Sequence, residues 1–204
     1  MANADRPMPV TKALLMRTFG RPEGVLGWLG GMIMARTNRR MIGRAVELLD
    51  VRPSDHVLEV GFGPGVGIAY LARAVSSGHV AGVDPSELML GQARSRNAAA
   101  VARGAVELRK GGVERLPFRN ESFDRVMAIN SMQLWPDAVN GLREIHRVLK
   151  PGGCLVLGFT RHSGQGREGV AEALEAAGFT DVRFDDVDAR DFCVVASKRS
   201  KADG

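Results

Sequence analysis

Cysteine is scarce in this chain of 204 residues, which has only Cys154 and Cys193. Both lie inside apolar runs, GGCLVLGF and DFCVVAS, so we interpret them as buried, reduced thiols rather than as a disulfide or a metal pair. A domain of this length buries roughly 70% of its unfolded surface and needs no such crosslink. No zinc or iron–sulfur spacing occurs, so we expect no metal site.

Aromatic residues are also few, at 5% with one tyrosine, which is a thin supply for stacking nucleic-acid bases. Basic residues are more frequent: 28 Lys and Arg against 23 Asp and Glu give a formal net charge of +5. This charge leaves nucleic acids and anionic membranes open as partners. Because no dense basic run occurs, binding to nucleic acid is the weaker expectation.

Long apolar runs are missing as well. The longest near the N-terminus, residues 24–35, has twelve residues with four glycines, whereas about 20 apolar residues are needed to span a bilayer. Residues 1–10 show no secretory-signal pattern. We therefore expect a cytoplasmic protein.

Short β-branched runs alternate with longer Ala- and Leu-rich runs after residue 50, which predicts an α/β fold. The predicted strands are 56–60, 79–83, 105–109, 123–129, 154–159, 180–187 and 191–198, and the predicted helices are 66–75, 86–101, 137–149 and 165–177. The last two strands are too close for a parallel crossover and must form a hairpin. We expect a Rossmann-like, doubly wound, seven-stranded, mostly parallel sheet with an antiparallel C-terminal hairpin.

Residues 1–50 precede this pattern and are predicted to form an N-terminal helical extension, with helices at 7–19, 23–35 and 38–49. We interpret the extension as a cap or lid over a ligand site, with Trp28 among its apolar contacts to substrate. A fixed helix pair that covers the sheet is the equal alternative. The main domain is then 51–199, followed by a short tail, 200–204.

A run of glycines is the most informative local feature. Glycines at 61, 63, 65 and 67 follow the first strand and open the first helix, where a Rossmann-type fold brings its backbone against a nucleotide-like ligand. The dinucleotide pattern G-x-G-x-x-G fails in either register, because Val66 and Ile68 stand where its third glycine belongs. The Lys-Ser/Thr of a phosphate loop is also missing. The loop therefore approaches a ligand without cradling a pyrophosphate.

Two carboxylates accompany the glycines. Asp84 ends the second strand beside the loop and can accept both hydroxyls of a ribose. Glu59 lies within the first strand, where burial is costly unless an ammonium group or the N–H groups of the loop are its partners. The alternative is a purely structural role for both residues, with Glu59 as a hydrogen-bond acceptor that orders the loop and Asp84 as a helix cap.

Four segments together resemble the class I S-adenosylmethionine-dependent methyltransferases. They are VLEVGFGPGVG at 57–67, AGVDPSELML at 81–90, VERLPFRNESFDRVMAINSMQLWPD at 113–137 and LREIHRVLKPGG at 142–153. The resemblance covers about residues 50–198 and implies S-adenosylmethionine as cofactor.

The resemblance also implies roles for individual residues. Glu59, Gly61, Phe62, Gly63 and Gly65 would hold the methionine part, Asp84 the ribose, Pro85 and Met89 the adenine neighbourhood, with Asn130 and Ser131 near the sulfonium. Many relatives read Gly-Asp-Ala where this chain has Gly111-Gly112-Val113, so the backbone at Gly112 and Val113 would meet the adenine without a carboxylate there.

Acceptor-binding and catalytic candidates follow the fourth and fifth strands, because open α/β sheets bind ligands at the carboxyl ends of their strands. They are Asn130, Ser131, Gln133, Trp135, Thr160, Arg161 and His162. His162 is the candidate general base, with a solvated loop imidazole as the alternative. Trp135 is either a packing residue or a stacking platform.

The expected activity is methyl transfer to a small, largely apolar acceptor, with at most a weak membrane-surface contact. Three alternatives stay open: an RNA methyltransferase, a lipid or quinone methyltransferase at the membrane surface, and a non-catalytic nucleoside-binding module. Against the first, the stretch after the fourth strand is Asn130-Ser131-Met132-Gln133, without the Asn/Asp-Pro-Pro-aromatic box of amino-methylating nucleic-acid enzymes.

Overall fold

The structure is a computed structural model that describes residues 39–200. Its centre is one seven-stranded sheet with the order β3-β2-β1-β4-β5-β7-β6. The predicted helices at 7–19 and 23–35, Trp28 and the end of the predicted tail lie outside the described residues. None of the helices in the described part is long and apolar enough to cross a membrane.

The strands follow the short apolar runs of the sequence. They are β1 His56–Val60, β2 His79–Asp84, β3 Val106–Lys110, β4 Phe123–Ile129, β5 Leu149–Phe159, β6 Thr180–Asp186 and β7 Phe192–Ser197. Strands β1 to β5 pair in parallel, whereas β7 is antiparallel to both β5 and β6. The predicted hairpin and the mostly parallel sheet are confirmed.

Six α-helices connect or flank these strands in the described part. They are α1 Arg39–Leu49, α2 Val66–Ala74, α3 Glu87–Arg96, α4 Ala98–Ala102, α5 Ala138–Val148 and α6 Val170–Ala176, with 3₁₀ turns at Val113–Arg115 and Met132–Leu134. Buried side chains of α1 to α4 pack on one face of the sheet, and those of α5 and α6 pack on the other. The doubly wound arrangement follows, because each sheet face is apolar and must be covered.

Three features differ from the predictions by more than one residue at a boundary. The predicted helix 86–101 is divided at Asn97, whose side-chain amide donates to two backbone carbonyls and caps the turn. The last helix begins at Val170 rather than at residue 165, because Gly169 has a left-handed φ of 73°. Strand β5 begins at Leu149, since that residue already pairs with Phe123 on β4.

Helix α1 is part of the sheet's packing layer, although it lies within the predicted extension 1–50. Its residues Met41, Ile42, Ala45 and Leu49 are buried. The Met41 sulfur lies so close to Gly158 on β5 that a Cβ there would come within 2.9 Å of it. The idea of a movable cover is therefore restricted to residues 1–38, outside the described part.

The strand order places a site. Strand β1 is flanked by β2 on one side and β4 on the other. The helix that follows β1, α2, and the helix that follows β4, α5, therefore lie on opposite faces of the sheet. At such a switch point the loops after the two strands diverge and open a crevice at the carboxyl ends of the strands. The glycine loop follows β1, and Asn130 follows β4.

Candidate active site

The glycine loop after β1 has an unusual backbone. Gly61, Gly63 and Gly65 have positive φ angles of 73°, 51° and 77°. Residues with a Cβ are disfavoured in this left-handed region, which accounts for glycine at all three positions. Three such residues in alternation produce a tight bend between β1 and α2.

The surroundings of the three glycines differ. A Cβ on Gly61 would lie 2.5 Å from Cβ of Ser131, and a Cβ on Gly65 would lie 2.7 Å from Cβ of Ala93. At Gly63 no atom lies within 4 Å of that position. Gly61 and Gly65 are therefore required by packing within the protein, whereas the bare backbone of Gly63 faces open space.

Phe62 lies in the same bend, but its ring points into the protein interior. The side chain is 3% exposed and packs close to Gly82 on β2, where an added Cβ would lie 2.6 Å from the ring. Only its backbone is left to face a ligand. The sequence groups Phe62 with the ligand-binding residues, and a ligand contact of its backbone stays a prediction.

Asp84 joins the loop to the end of β2. Its Oδ2 accepts the N–H of Gly63 at 2.9 Å, and its Oδ1 accepts the N–H of Ser86 at 2.8 Å. Burial raises the pKa of this carboxyl, and the two backbone hydrogen bonds act in the opposite direction. Each oxygen keeps a second lone pair, so the group can accept two further hydrogen bonds.

Glu59 is a buried carboxyl beneath the N-terminus of α2. It is 3% exposed, and a Cβ on Gly67 would lie 2.2 Å from its Oε1. Burial and the neighbouring charge of Asp84 raise its pKa to about 8, although the N–H of Ile68 donates to the carboxylate and lowers it. Its Oε2 has no hydrogen-bond partner among residues 39–200. A buried carboxylate oxygen without a partner is costly in the unliganded protein.

Asn97 and Arg96 hold the loop from the outside, and sequence reasoning did not single them out. The buried Asn97 amide donates to the carbonyl of Gly65 at 3.0 Å and to that of Ala93 at 2.9 Å. The Arg96 guanidinium donates to the carbonyl of Pro64. An Asn inside a predicted helix was the available signal, because asparagine is unfavourable in helix interiors.

The segments after β2 and β3 form the other side of the crevice. Pro85 is exposed, and Met89 is buried with its N–H donating to Oγ of Ser86 at 3.4 Å. After β3, Val113 is buried, and a Cβ on Gly112 would lie 2.0 Å from Oε2 of Glu114. A carboxylate therefore does lie at Gly112, supplied from two residues further along the chain.

Asn130 and Thr160 connect the ends of β4 and β5. The Asn130 amide donates to Oγ1 of Thr160 at 3.0 Å, and its Oδ1 accepts the Thr160 N–H at 2.8 Å. Asn130 has a φ of 49°, a conformation that asparagine tolerates better than most residues. Thr160 is 4% exposed, so the pair is a fixed polar bridge rather than a mobile surface contact.

Ser131 and Gln133 continue from this bridge. Ser131 donates its hydroxyl to the carbonyl of Val60 at 3.0 Å, which ties the β4 loop to the end of β1. Gln133 donates from Nε2 to the carbonyl of Asn130 at 2.7 Å. Its Oε1 is buried and has no hydrogen-bond partner in the described part of the chain.

Trp135 and His162 make their contacts away from the glycine loop. The half-buried Trp135 ring packs against Gly141 of α5, where an added Cβ would lie 2.8 Å from it. His162 is exposed, and its Nε2 accepts a hydrogen bond from Nε of Arg161 at 3.3 Å. The structure brings Trp135 to the core rather than into an open face, and it leaves His162 on the surface after β5.

Comparison with known proteins agrees with this geometry. A family described as "Methyltransferase domain" matches residues 57–153, from β1 to the start of β5. The chain is similar to the "Uncharacterized methyltransferase YdaC" of Bacillus subtilis (strain 168), with 31% identity over 163 residues, which cover 76% of this chain and 87% of that protein.

The chain belongs to the class I S-adenosylmethionine-dependent methyltransferases.

Two further similarities place this methyltransferase among its relatives. It is 40% identical over 103 residues to a demethylmenaquinone methyltransferase of Symbiobacterium thermophilum, covering 50% of this chain and 41% of that protein. The fold matches a SAM-dependent methyltransferase from Aquifex aeolicus with a TM-score of 0.68 and 22% identity, covering 78% of this chain and 92% of that one. The matched part of the quinone enzyme is less than half of its length.

The residues present fit the cofactor of this methyltransferase, S-adenosylmethionine. The cofactor carries an α-ammonium group, and the Oε2 atom of Glu59 is a buried acceptor without a partner. Its ribose carries two hydroxyls, and the Asp84 carboxylate has lone pairs to accept them. Gly63 leaves open the space that any side chain there would fill.

Proposed function

We propose that this methyltransferase moves a methyl group from S-adenosylmethionine to a small, largely apolar acceptor at the carboxyl ends of β4 and β5. The cofactor supplies an electrophilic methyl group on its sulfonium when it is bound. The chain itself must hold donor and acceptor in line, because alignment is the main contribution of a protein to such a displacement.

On the donor side, the roles follow the hydrogen-bonding capacity of each residue. Asp84 binds the ribose hydroxyls, and Glu59 binds the α-ammonium group. The backbone of the loop at Gly61, Phe62, Gly63 and Gly65 completes this end of the site, with Gly63 as its open position. For Glu59 this is supported by an acceptor oxygen that nothing in residues 39–200 satisfies. An ammonium partner compensates the buried charge and favours the ionised carboxylate.

At the adenine end, Pro85 and Met89 form one wall, and the backbone of Gly112 and Val113 forms the polar edge. The carboxylate of Glu114, which lies against Gly112, adds a side-chain acceptor next to that edge. An exocyclic amino group is the matching donor. Glu114 thus supplies the side-chain carboxylate that glycine at position 112 lacks.

On the acceptor side, the observation that carries the proposal is the buried, unpartnered Oε1 of Gln133 beside the Asn130–Thr160 bridge. A buried polar atom without a partner favours a ligand that donates to it, such as the hydroxyl of an otherwise apolar acceptor. Asn130 and Ser131 lie next to the sulfonium in this arrangement, and Thr160 borders the acceptor. Trp135 supports this end of the site by packing against Gly141 of α5.

His162 is the proposed general base for an acceptor that must lose a proton. Its exposed position after β5 supports access from solvent as the proton leaves. Substitution His162→Ala should then lower kcat for a hydroxyl acceptor about a hundredfold or more and leave KM unchanged. An unchanged kcat would assign His162 to the solvated surface.

The test of the proposed function is a panel of apolar alcohols, phenols and thiols incubated with the full chain and S-adenosylmethionine, with methylated products measured by mass spectrometry. Gln133→Ala should raise KM for the acceptor about tenfold or more, the cost of losing one buried hydrogen bond. Asn140→Ala on the exposed side of α5 is the matched control and should change nothing. Cofactor binding without any methylated product would contradict the proposal.

A quinone-like acceptor is the second candidate, and the similarity to a demethylmenaquinone methyltransferase favours it. The reduced form of a naphthoquinone belongs in the same panel for this reason. Co-sedimentation of the full chain with anionic vesicles tests the accompanying membrane contact. Methylation of the quinol without vesicle binding would restrict the second candidate to free substrate.

A further inference from the structure

A cavity of about 370 Å³ lies between the loop that follows β5 and the turn that joins β6 to β7. Its volume is within the range of small-molecule pockets. Its lining includes three arginines, Arg161, Arg167 and Arg190, together with Gln165 and Phe192. Of these residues only Arg161 is among the acceptor-binding and catalytic candidates named from the sequence, and the site described above uses none of them.

The arginines outweigh the acidic groups that are free to neutralise them. Asp186 is paired with Arg167, and Asp188 with Arg40. The Asp191 carboxylate accepts the backbone N–H of Arg161 at 2.7 Å. Neither Arg161 nor Arg190 has a carboxylate within ion-pair distance among residues 39–200. The cavity therefore presents two guanidinium groups that form no ion pair within the described part of the chain and a third, that of Arg167, with spare donors.

Arg167 is held in place by two aromatic rings and a carboxylate. Its guanidinium lies 5.0 Å from the ring centre of Phe192 and 5.4 Å from that of Phe184, and Asp186 fixes its outer edge. Phe192 is itself buried and packs against Phe159 at 5.1 Å between ring centres. Stacking on aromatic faces preorganises a guanidinium for bidentate contact with an oxyanion.

The cavity lies on the same edge of the sheet as the cofactor loop. Phe159, the last residue of β5, pairs with Phe192, the first of β7. Arg161 directly follows Thr160, which is bonded to Asn130. Arg161 therefore connects the cavity lining, through its chain neighbour Thr160, to the Asn130 side chain at the end of β4.

We propose that this cavity binds an anionic oxyacid group, a carboxylate or a phosphate, carried by the acceptor whose apolar part lies at β4 and β5. The inference rests on the proposed function and narrows its acceptor to an apolar molecule with one anionic end. Planar guanidinium groups match carboxylate and phosphate oxygens in geometry and charge.

The test compares two probes that differ only in the end group, 4-phenylbutyrate and 4-phenylbutanol, by calorimetry with S-adenosylhomocysteine present. The full chain should bind the carboxylate about tenfold more tightly, the contribution of charge-assisted hydrogen bonds at a partly exposed site. The preference should disappear in Arg161→Ala/Arg190→Ala. It should persist in Arg73→Ala/Arg103→Ala, which removes two exposed arginines that do not line the cavity.

Equal affinity for the two probes, or an unchanged preference in Arg161→Ala/Arg190→Ala, would overturn the inference. Inorganic phosphate is titrated separately: binding that depends on the two arginines, without any preference for phenylbutyrate, assigns the cavity to a free anion and rejects the acceptor role. Binding of S-adenosylhomocysteine is measured first in every variant. If the unmodified chain does not bind S-adenosylhomocysteine, the proposed function is contradicted. If it binds S-adenosylhomocysteine but does not prefer the carboxylate probe, only this inference is contradicted.

Discussion

Glu59 shows at the scale of one residue how a binding site strains the unliganded protein. The carboxyl is buried beneath α2, accepts one backbone N–H and leaves Oε2 without a partner among residues 39–200. Its pKa of about 8 lies well above the usual value of 4.5, because burial disfavours the charge. A group of this kind is stable as a neutral acid until a cationic ligand arrives.

A pH dependence of stability follows from Glu59. The native carboxyl retains a proton that the unfolded chain releases, so native stability should fall as the pH rises from about 4.5 to about 8. The loss attributable to this group is at most about 5 kcal/mol. Chemical denaturation of the cofactor-free protein at several pH values measures it. Glu59→Gln should flatten the dependence, and an equally steep fall in that variant would assign the effect to other groups.

Gly63 and Gly65 separate binding from folding. Both have positive φ, so alanine at either position costs roughly 1–2 kcal/mol of backbone strain. At Gly65 the added Cβ also meets Ala93, whereas at Gly63 it meets only open space. We therefore expect Gly65→Ala to lower the unfolding free energy clearly more than Gly63→Ala does.

The reverse order is expected for ligand binding. Gly63→Ala should weaken the binding of S-adenosylhomocysteine about tenfold or more, because the alanine side chain occupies the space through which the ligand must approach the backbone. Thermal denaturation of Gly63→Ala and Gly65→Ala ranks their stabilities, and calorimetry ranks their affinities for S-adenosylhomocysteine. Equal affinities for the unmodified chain and Gly63→Ala would show that the ligand does not contact this backbone.

At the scale of elements, the break between α3 and α4 supports the glycine loop. Asn97 ends α3 and donates its amide to the loop carbonyl of Gly65, so a helix terminus fixes the bend from outside. The loop is thus held on both sides, by Asn97 outside and by Asp84 inside. A preorganised loop loses less entropy on binding.

Removal of the Asn97 amide should therefore affect both stability and binding. Asn97→Ala leaves the carbonyl of Gly65 without its donor, at a cost of about 1–3 kcal/mol in unfolding free energy. Affinity for S-adenosylhomocysteine should fall as well, since the bend becomes less ordered. Asn140→Ala is the control for loss of an asparagine at an exposed position. A variant that is destabilised but binds with full affinity would show that Asn97 supports only the fold.

The element boundaries show how far the sequence can be read. The first strand and the position of the glycine loop follow from local pattern, because a short β-branched run ends in glycines that cannot continue it. The division at Asn97 and the early start of β5 depend on partners distant in sequence, Gly65 and Phe123. Local propensity contains no information about such contacts. For the same reason the sequence does not show that the ring of Phe62 packs at Gly82, away from the proposed ligand.

At the scale of the whole molecule, strand order decides where chemistry takes place. Because β1 lies between β2 and β4, the glycine loop, Asp84 and Asn130 reach one edge of the sheet from three separate segments. Motif spacing suggested this convergence, and the sheet order β3-β2-β1-β4-β5-β7-β6 confirms the fold behind it. The arginine cavity shares that edge through the pairing of β5 with β7. Its three arginines are spread over thirty residues and gave no sequence pattern.

Calorimetric titration of S-adenosylhomocysteine into the full chain, Asp84→Ala and Glu172→Gln tests the central claim most directly. The full chain and Glu172→Gln, an exposed change on α6, should bind alike, while Asp84→Ala should lose about 1–3 kcal/mol because the ribose hydroxyls lose their acceptor. Circular dichroism of Asp84→Ala checks that the fold is retained. Absence of binding heat in the full chain, or equal affinity in a folded Asp84→Ala, would contradict a cofactor held between the glycine loop and Asp84.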